Sequence, residues 1–134
     1  MERKNVASGA RWEPIVGYSR AVRVGAYVAV AGTAATDLQG KVVAPGDAYG
    51  QAVYIFRKIE AALAQSGARL EDVVRTRMFL TNIDDWEKVG RAHAEFFRAI
   101  RPAATLLEVS RLLDPELLVE IEADAILGAP TGNR

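Results

Sequence analysis

The eight residues Val73–Leu80, VVRTRMFL, decide how the rest of the chain is read. Successive side chains of a strand point to opposite faces. Arg75, Arg77 and Phe79 then share one face, and Val74, Thr76, Met78 and Leu80 share the other. That alternation is the mark of a half-buried strand. Just downstream the period changes. Trp86, Val89, His93, Phe96, Phe97 and Ile100 recur at helical spacing, and Pro102 closes the segment. Asp84 and Glu87 stand three apart before that stripe, as in a capping box.

Working upstream, a second amphipathic helix is read from Ala52, Ile55, Phe56, Ile59, Ala62 and Leu63, with Asp47 as N-cap and Gly67 as the C-terminal glycine. Before it, Ser19–Thr33 contains two β-rich runs, Arg20–Val24 and Tyr27–Ala31, around Gly25-Ala26, which is a hairpin signature. A short strand is placed near Lys41–Val43, and a less regular one at Arg11–Val16. Downstream, Ala104–Val109 and Leu117–Ile126 flank the turn LLDPE and are read as the last two strands. The order is hairpin, strand, helix, strand, helix, strand, strand. It predicts an α+β domain over residues 1–134, with two helices covering one face of a mixed sheet.

The uncovered face is charged. In VEIEADA, Val119–Ala125, alternation gathers Glu120, Glu122 and Asp124 on one side. Arg75 and Arg77 can answer them if the two strands are neighbours. Two readings fit that face: a solvated sheet surface, or a subunit interface with Phe79 interspersed. Same-face neighbours on a strand are roughly 7 Å apart, so a charge-paired face is favoured over an acid/base site by pattern alone. His93 sits on a helical apolar stripe and reads first as a hydrogen-bonded packing residue. Trp12 and Trp86 likewise read as packing.

Composition excludes several classes of function. The chain has 134 residues, with 17 basic residues balancing 17 acidic ones. Zero net charge gives no electrostatic reason to expect nucleic acid or an anionic membrane as partner. There is no cysteine and one histidine, so neither a thiol nucleophile nor a zinc site is expected. AVAGTAA lacks the lysine and spacing of a phosphate-binding loop. The charged N-terminus is unlike a secretory signal, and no apolar run approaches the ~20 residues of a membrane span. A cytoplasmic protein is expected.

Three blocks carry a family resemblance: GYSRAVRVGAYVAVAGT at 17–33, VVRTRMFLTNIDDWEKV at 73–89, and RPAATLLEVSRLLDPELLVEIEADAI at 101–126. Together they resemble the Rid family of reactive intermediate deaminases, also called the YjgF family. The resemblance implies a chorismate-mutase-like α+β fold. It implies a homotrimer with a central barrel and small-molecule clefts between subunits. Active members hydrolyse amino-acid-derived enamines and imines without metal or organic cofactor. The resemblance places the water-handling glutamate on Glu120, the cleft tyrosine on Tyr18, and the backbone groups after the second strand on Gly32 and Thr33.

The same comparison marks departures. The arginine that grips a substrate carboxylate in active members falls on Ala104, followed by Thr105. A cleft asparagine falls on Gly90, and a residue that is often cysteine falls on Leu106. A bidentate arginine–carboxylate contact is strong and directional, and alanine cannot replace it. Standard 2-aminoacrylate deamination is therefore doubtful. Arg101 and Arg91 are the arginines nearest in sequence that can approach the cleft from another direction. The substitutions make a roomier, more apolar pocket. The reading is a trimer that binds a small metabolite and hydrolyses a C–N bond through Glu120. The alternative is a non-catalytic regulatory or partner-binding trimer. The ribonuclease or translation-inhibitor activity ascribed to some relatives is the weakest reading, since the chain has no basic aromatic stripe.

Overall fold

The structure, a computed structural model, describes residues 1–128; the last six residues of the expected 1–134 domain lie outside the described residues. Six strands form one sheet: β1 (Arg3–Val6), β2 (Ala21–Val24), β3 (Tyr27–Ala34), β4 (Val73–Leu80), β5 (Ala103–Glu108) and β6 (Val119–Ile126). Their spatial order is β1-β2-β3-β6-β4-β5, and only the β4–β5 pair is parallel. Three helices accompany them: α1 (Trp12–Val16), α2 (Ala48–Gln65) and α3 (Trp86–Phe97). The expected α+β mixed sheet is present.

The core lies between the sheet and the two long helices. From α2 come Ile55, Phe56, Ile59 and Leu63, all fully buried, and α3 adds Val89, Ala92 and Phe97. The sheet answers with Val28, Val30, Val73, Met78, Leu80, Val119 and Ile121. Each such large side chain is worth about 1.5–3 kcal/mol of transfer free energy. Asp47 caps α2 as read from the sequence, its carboxylate accepting from Gly50 N at 2.9 Å. Gly67, at φ +82°, follows the helix in the left-handed region, where Ala68 N donates back to Leu63 O at 2.8 Å. Gln51 is a polar residue inside this layer. Its amide donates to Ala44 O and Glu116 O, and its carbonyl accepts from Leu118 N at 2.8 Å, which ties two loops to α2.

Several expectations are corrected. Arg11–Val16 is not a strand: Trp12–Val16 forms α1, where Pro14 sits in the first turn and Gly17 (φ +90°) ends it. An unexpected edge strand, β1, pairs with β2. Lys41–Val43 contributes only a single bridge, Thr36 to Val42. The capping box at Asp84 and Glu87 does not form. A short 3₁₀ turn, Ile83–Asp85, intervenes, capped by Asn82, and α3 starts at Trp86. Trp86 itself is 55% exposed, so it leaves the apolar stripe. A bulge between Val73 and Arg75 turns Val74 outward and buries Val73 instead. Of the last two strands, β5 is displaced by one residue and β6 begins two residues later than expected.

Candidate functional site

Register sorts the three carboxylates of β6. Arg77 lies opposite Glu122 and Arg75 opposite Asp124 on β4. Arg77 Nη1 is 3.1 Å from Glu122 and 3.4 Å from Asp124, and Arg75 Nε is 3.9 Å from Asp124. Tyr27 donates its hydroxyl to Asp124 at 3.0 Å. Glu122 and Asp124 are thus absorbed into a charge ladder. Glu120 faces Phe79 across the same pair and has no arginine there. Its pKa is raised, mainly because burial disfavours the charged form; Arg20 opposes that rise and Glu122 adds to it.

The space for Glu120 comes from β3. A register irregularity between Val30 and Thr33 sets Ala31 and Gly32 out of the regular ladder. A side chain on Gly32 would run into the Glu120 carboxylate. Glycine there lets the acid lie against the β3 backbone.

Behind Gly32 stands Arg20, only 8% exposed. Its Nη1 donates to Gly32 O and Thr33 Oγ1, both at 3.0 Å, and its Nη2 to the Tyr18 hydroxyl at 3.4 Å. Its Nε lies 3.8 Å from Glu13, a buried residue of α1. Glu13 also accepts from Ser8 N at 3.1 Å and from the Ser8 hydroxyl. The Thr33 hydroxyl donates in turn to Ala31 O at 2.7 Å. Nearby, Lys58 of α2 donates to Ala34 O at 2.7 Å and Thr36 O at 3.0 Å. Burial and then the Arg20 charge lower its pKa to about 8, against a smaller opposing effect of Asp37.

Arg20, which sequence pattern does not single out, thus joins Tyr18, Gly32 and Thr33, and Glu120 lies against Gly32; the Thr33 side chain itself is fully buried, at the register of Ile121 in the core. The other residues singled out lie apart. Ala104, Thr105 and Leu106 are on β5, two strands from β6, roughly 10 Å across the sheet. Ala104 and Leu106 are in register with Thr76 and Met78, which face the helix layer, whereas Thr105 pairs with Arg77 on the open face. Gly90 lies on α3, with nothing within 4 Å of where a Cβ would stand. Arg91 is stacked 4.3 Å from the Tyr49 ring on α2. Arg101 is exposed, in a left-handed conformation (φ +58°) before Pro102. His93 fits its packing role: it shares a hydrogen bond of 2.9 Å with Thr76 and packs on Phe56 and Phe97, and burial lowers its pKa.

One chain thus carries two candidate half-sites that do not meet within it, an acidic one at the β3–β6 bulge and an apolar one at the β5 edge. The open face also bears a shallow groove of about 450 Å³, lined by Arg3, Asn5, Tyr18, Ser19, Glu122 and Asp124 among others. Glu120 and Gly32 do not line it. The bulge is the better candidate, because chemistry follows the unpaired carboxylate rather than the volume. Among the described residues no cluster of three metal-ligating side chains occurs.

Comparison with known proteins bears on the family and the fold. The family model described as Endoribonuclease L-PSP matches residues 8–127. A solved structure of a YjgF family member from Mycobacterium tuberculosis is 48% identical, with a TM-score of 0.86, and covers 94% of this chain and 100% of that one. An uncharacterised protein of Streptomyces coelicolor is 41% identical over 94% of this chain and 93% of its own length. A RutC family protein of Pyrococcus abyssi is 35% identical over 84% and 88%. The fold is thus that of solved family members, and the chain belongs to the Endoribonuclease L-PSP family, the YjgF or Rid family.

Proposed function

We propose that the protein binds a small metabolite in clefts completed by neighbouring copies of a homotrimer, and that Glu120 and a water molecule hydrolyse an imine, enamine or related C–N bond there. The observation that carries this reading is the contrast within β6. Two of its three acids are spent on arginines, while Glu120 is held half-buried against Gly32 with its pKa raised. A carboxylate in that condition is suited to take a proton from water near neutral pH. The trimer is supported by incompleteness: among the described residues β5 has an unpaired edge, and its half-site lies too far from Glu120 within one chain.

The substrate follows from what the β5 half lacks. Ala104 offers no guanidinium, and Arg91 is engaged by Tyr49. A substrate without a free carboxylate, or a larger apolar one, fits better than 2-aminoacrylate. The name of the matched model points to RNA, but Arg75 and Arg77, the arginines of the open sheet face opposite β6, are tied to Glu122 and Asp124, which disfavours a phosphate track.

Two measurements test the reading. Light scattering should give a trimer, and a monomer would remove the shared cleft. Ammonia release should be faster from imines that lack a carboxylate than from 2-iminopropionate, and abolished by Glu120→Gln. Turnover of neither substrate would leave the non-catalytic alternative.

A further inference from the structure

Arg20 is a buried cation joined to most of the acidic half-site. It donates to Gly32, Thr33 and Tyr18 and is paired with Glu13. A guanidinium has donors and no acceptor. Tyr18 oxygen must therefore accept from it, which leaves the phenolic proton to point elsewhere. Among the described residues that proton reaches no protein acceptor. Thr33 differs: its proton is already committed to Ala31 O. Gly32 links the charge to the acid. Its carbonyl accepts from Arg20, and its missing side chain is the space that the Glu120 carboxylate occupies.

We propose that Arg20 is a positioning residue of this cleft, turning the Tyr18 hydroxyl into a donor toward the ligand and, from behind Gly32, holding Glu120 as an anionic acceptor. The proposal rests on the cleft assigned above and deepens it by naming the residue that sets its hydrogen-bond polarity. A donor hydroxyl together with an anionic carboxylate fits a ligand that carries both an acceptor and an N–H, such as a neutral imine or an amide. A free carboxylate placed beside Glu120 would be repelled.

The surroundings of Glu120 leave Arg20 as its compensating charge. On β6 it neighbours Glu122, which is an added negative charge. β4 presents Phe79 and β3 presents Gly32 and Ala34. Behind Arg20 lie Glu13 of α1 and Lys58 of α2, the first paired with it and the second repelled by it. An opposite charge at close range lowers a carboxyl pKa by about 1–3 units.

The test is a ¹³C NMR titration of the glutamate carboxyl groups in the full chain, with Glu120 assigned by its loss in Glu120→Gln. Arg20→Gln should raise the Glu120 midpoint by about one pH unit or more, and Arg20→Lys by much less. Tyr18→Phe keeps the charge and should leave the midpoint in place. An unchanged midpoint in Arg20→Gln overturns the proposal, as does an equal shift in Tyr18→Phe. Arg20→Gln strands the buried Glu13; if that variant does not fold, Glu13→Gln/Arg20→Gln removes both charges and is read by the same criterion. The titration needs no ligand. Failure of wild-type imine turnover would sink the proposed reaction while leaving this result to stand or fall separately.

Discussion

Replacing Gly32 by alanine separates stability from function at this site. The position is not in the left-handed region, so alanine meets no backbone strain. Removing glycine restricts the unfolded chain, which stabilises by about 0.4–1 kcal/mol. Against that, the new Cβ overlaps the Glu120 carboxylate and comes within 3.3 Å of its Cδ. The obstacle is the far end of a flexible side chain, and an off-rotamer adjustment costs about 0.5–1.5 kcal/mol. The two effects nearly cancel, so urea denaturation should show a change of no more than about 1 kcal/mol. Function should respond differently. The carboxylate must retreat by about an ångström to restore ordinary contact, and a misplacement of that size costs roughly 100-fold in rate. Imine hydrolysis by Gly32→Ala should therefore fall by about two orders of magnitude in a protein of normal stability. Unchanged turnover would show that Glu120 does not act where the geometry puts it. A stability loss above about 3 kcal/mol would show instead that the carboxylate is clamped and cannot yield.

Three further outcomes follow from the same structure. Glu120 has a raised pKa in the folded state, so its contribution to stability is full below the ordinary glutamate pKa of 4.5 and is lost as pH rises through the folded value; Glu120→Gln should match or exceed the wild type at pH 7 by urea denaturation and lose that advantage toward pH 4, and a deficit that widens with pH would refute this. Ala104→Arg, on an exposed strand edge, should change stability by less than about 0.5 kcal/mol yet raise ammonia release from 2-iminopropionate about tenfold or more; no gain would mean that Gly90 and Leu106 also exclude that substrate. Gln51→Leu should cost about 3 kcal/mol in thermal or denaturant melts, because the Glu116 carbonyl and Leu118 N–H lose their buried partner.

What was legible in the sequence depended on how local the signal is. Val73–Leu80 is a strand with those bounds, and Asp47 and Gly67 bracket α2, since alternation and caps are written within a few residues. Bulges are not written that way. The slip at Val74 and the irregularity at Ala31–Gly32 appear only when a partner strand sets the register. β1 escaped because three of its four residues are exposed and carry no apolar alternation. α1 escaped because five residues are too few to show a helical period. At the site, family comparison pointed to Tyr18, Gly32 and Glu120, but Arg20 read as the polar start of a hairpin strand. Its role depends on partners 12 and 13 residues away across a bulge, and on a short helix whose sequence has no helical period.

The fate of Glu120 is decided by what stands opposite it. Antiparallel pairing sets Arg75 to Asp124, Arg77 to Glu122 and Phe79 to Glu120. A slip of two residues would keep every side chain on its face and would give Glu120 an arginine. The other face of the same strands opposes that slip. Met78 meets Ile121, Leu80 meets Val119 and Thr76 meets Ala123 in a fully packed core, and shifting that row would set large residues against the wrong partners at a cost of several kcal/mol. Core packing thus fixes the register, the register withholds an arginine from Glu120, and Phe79 adds to its desolvation. The compensating charge then has to come from the opposite side, across the β3 bulge, where Arg20 stands. An acid compensated only from behind is open to a ligand in front, which is the arrangement a proton-transferring carboxylate requires.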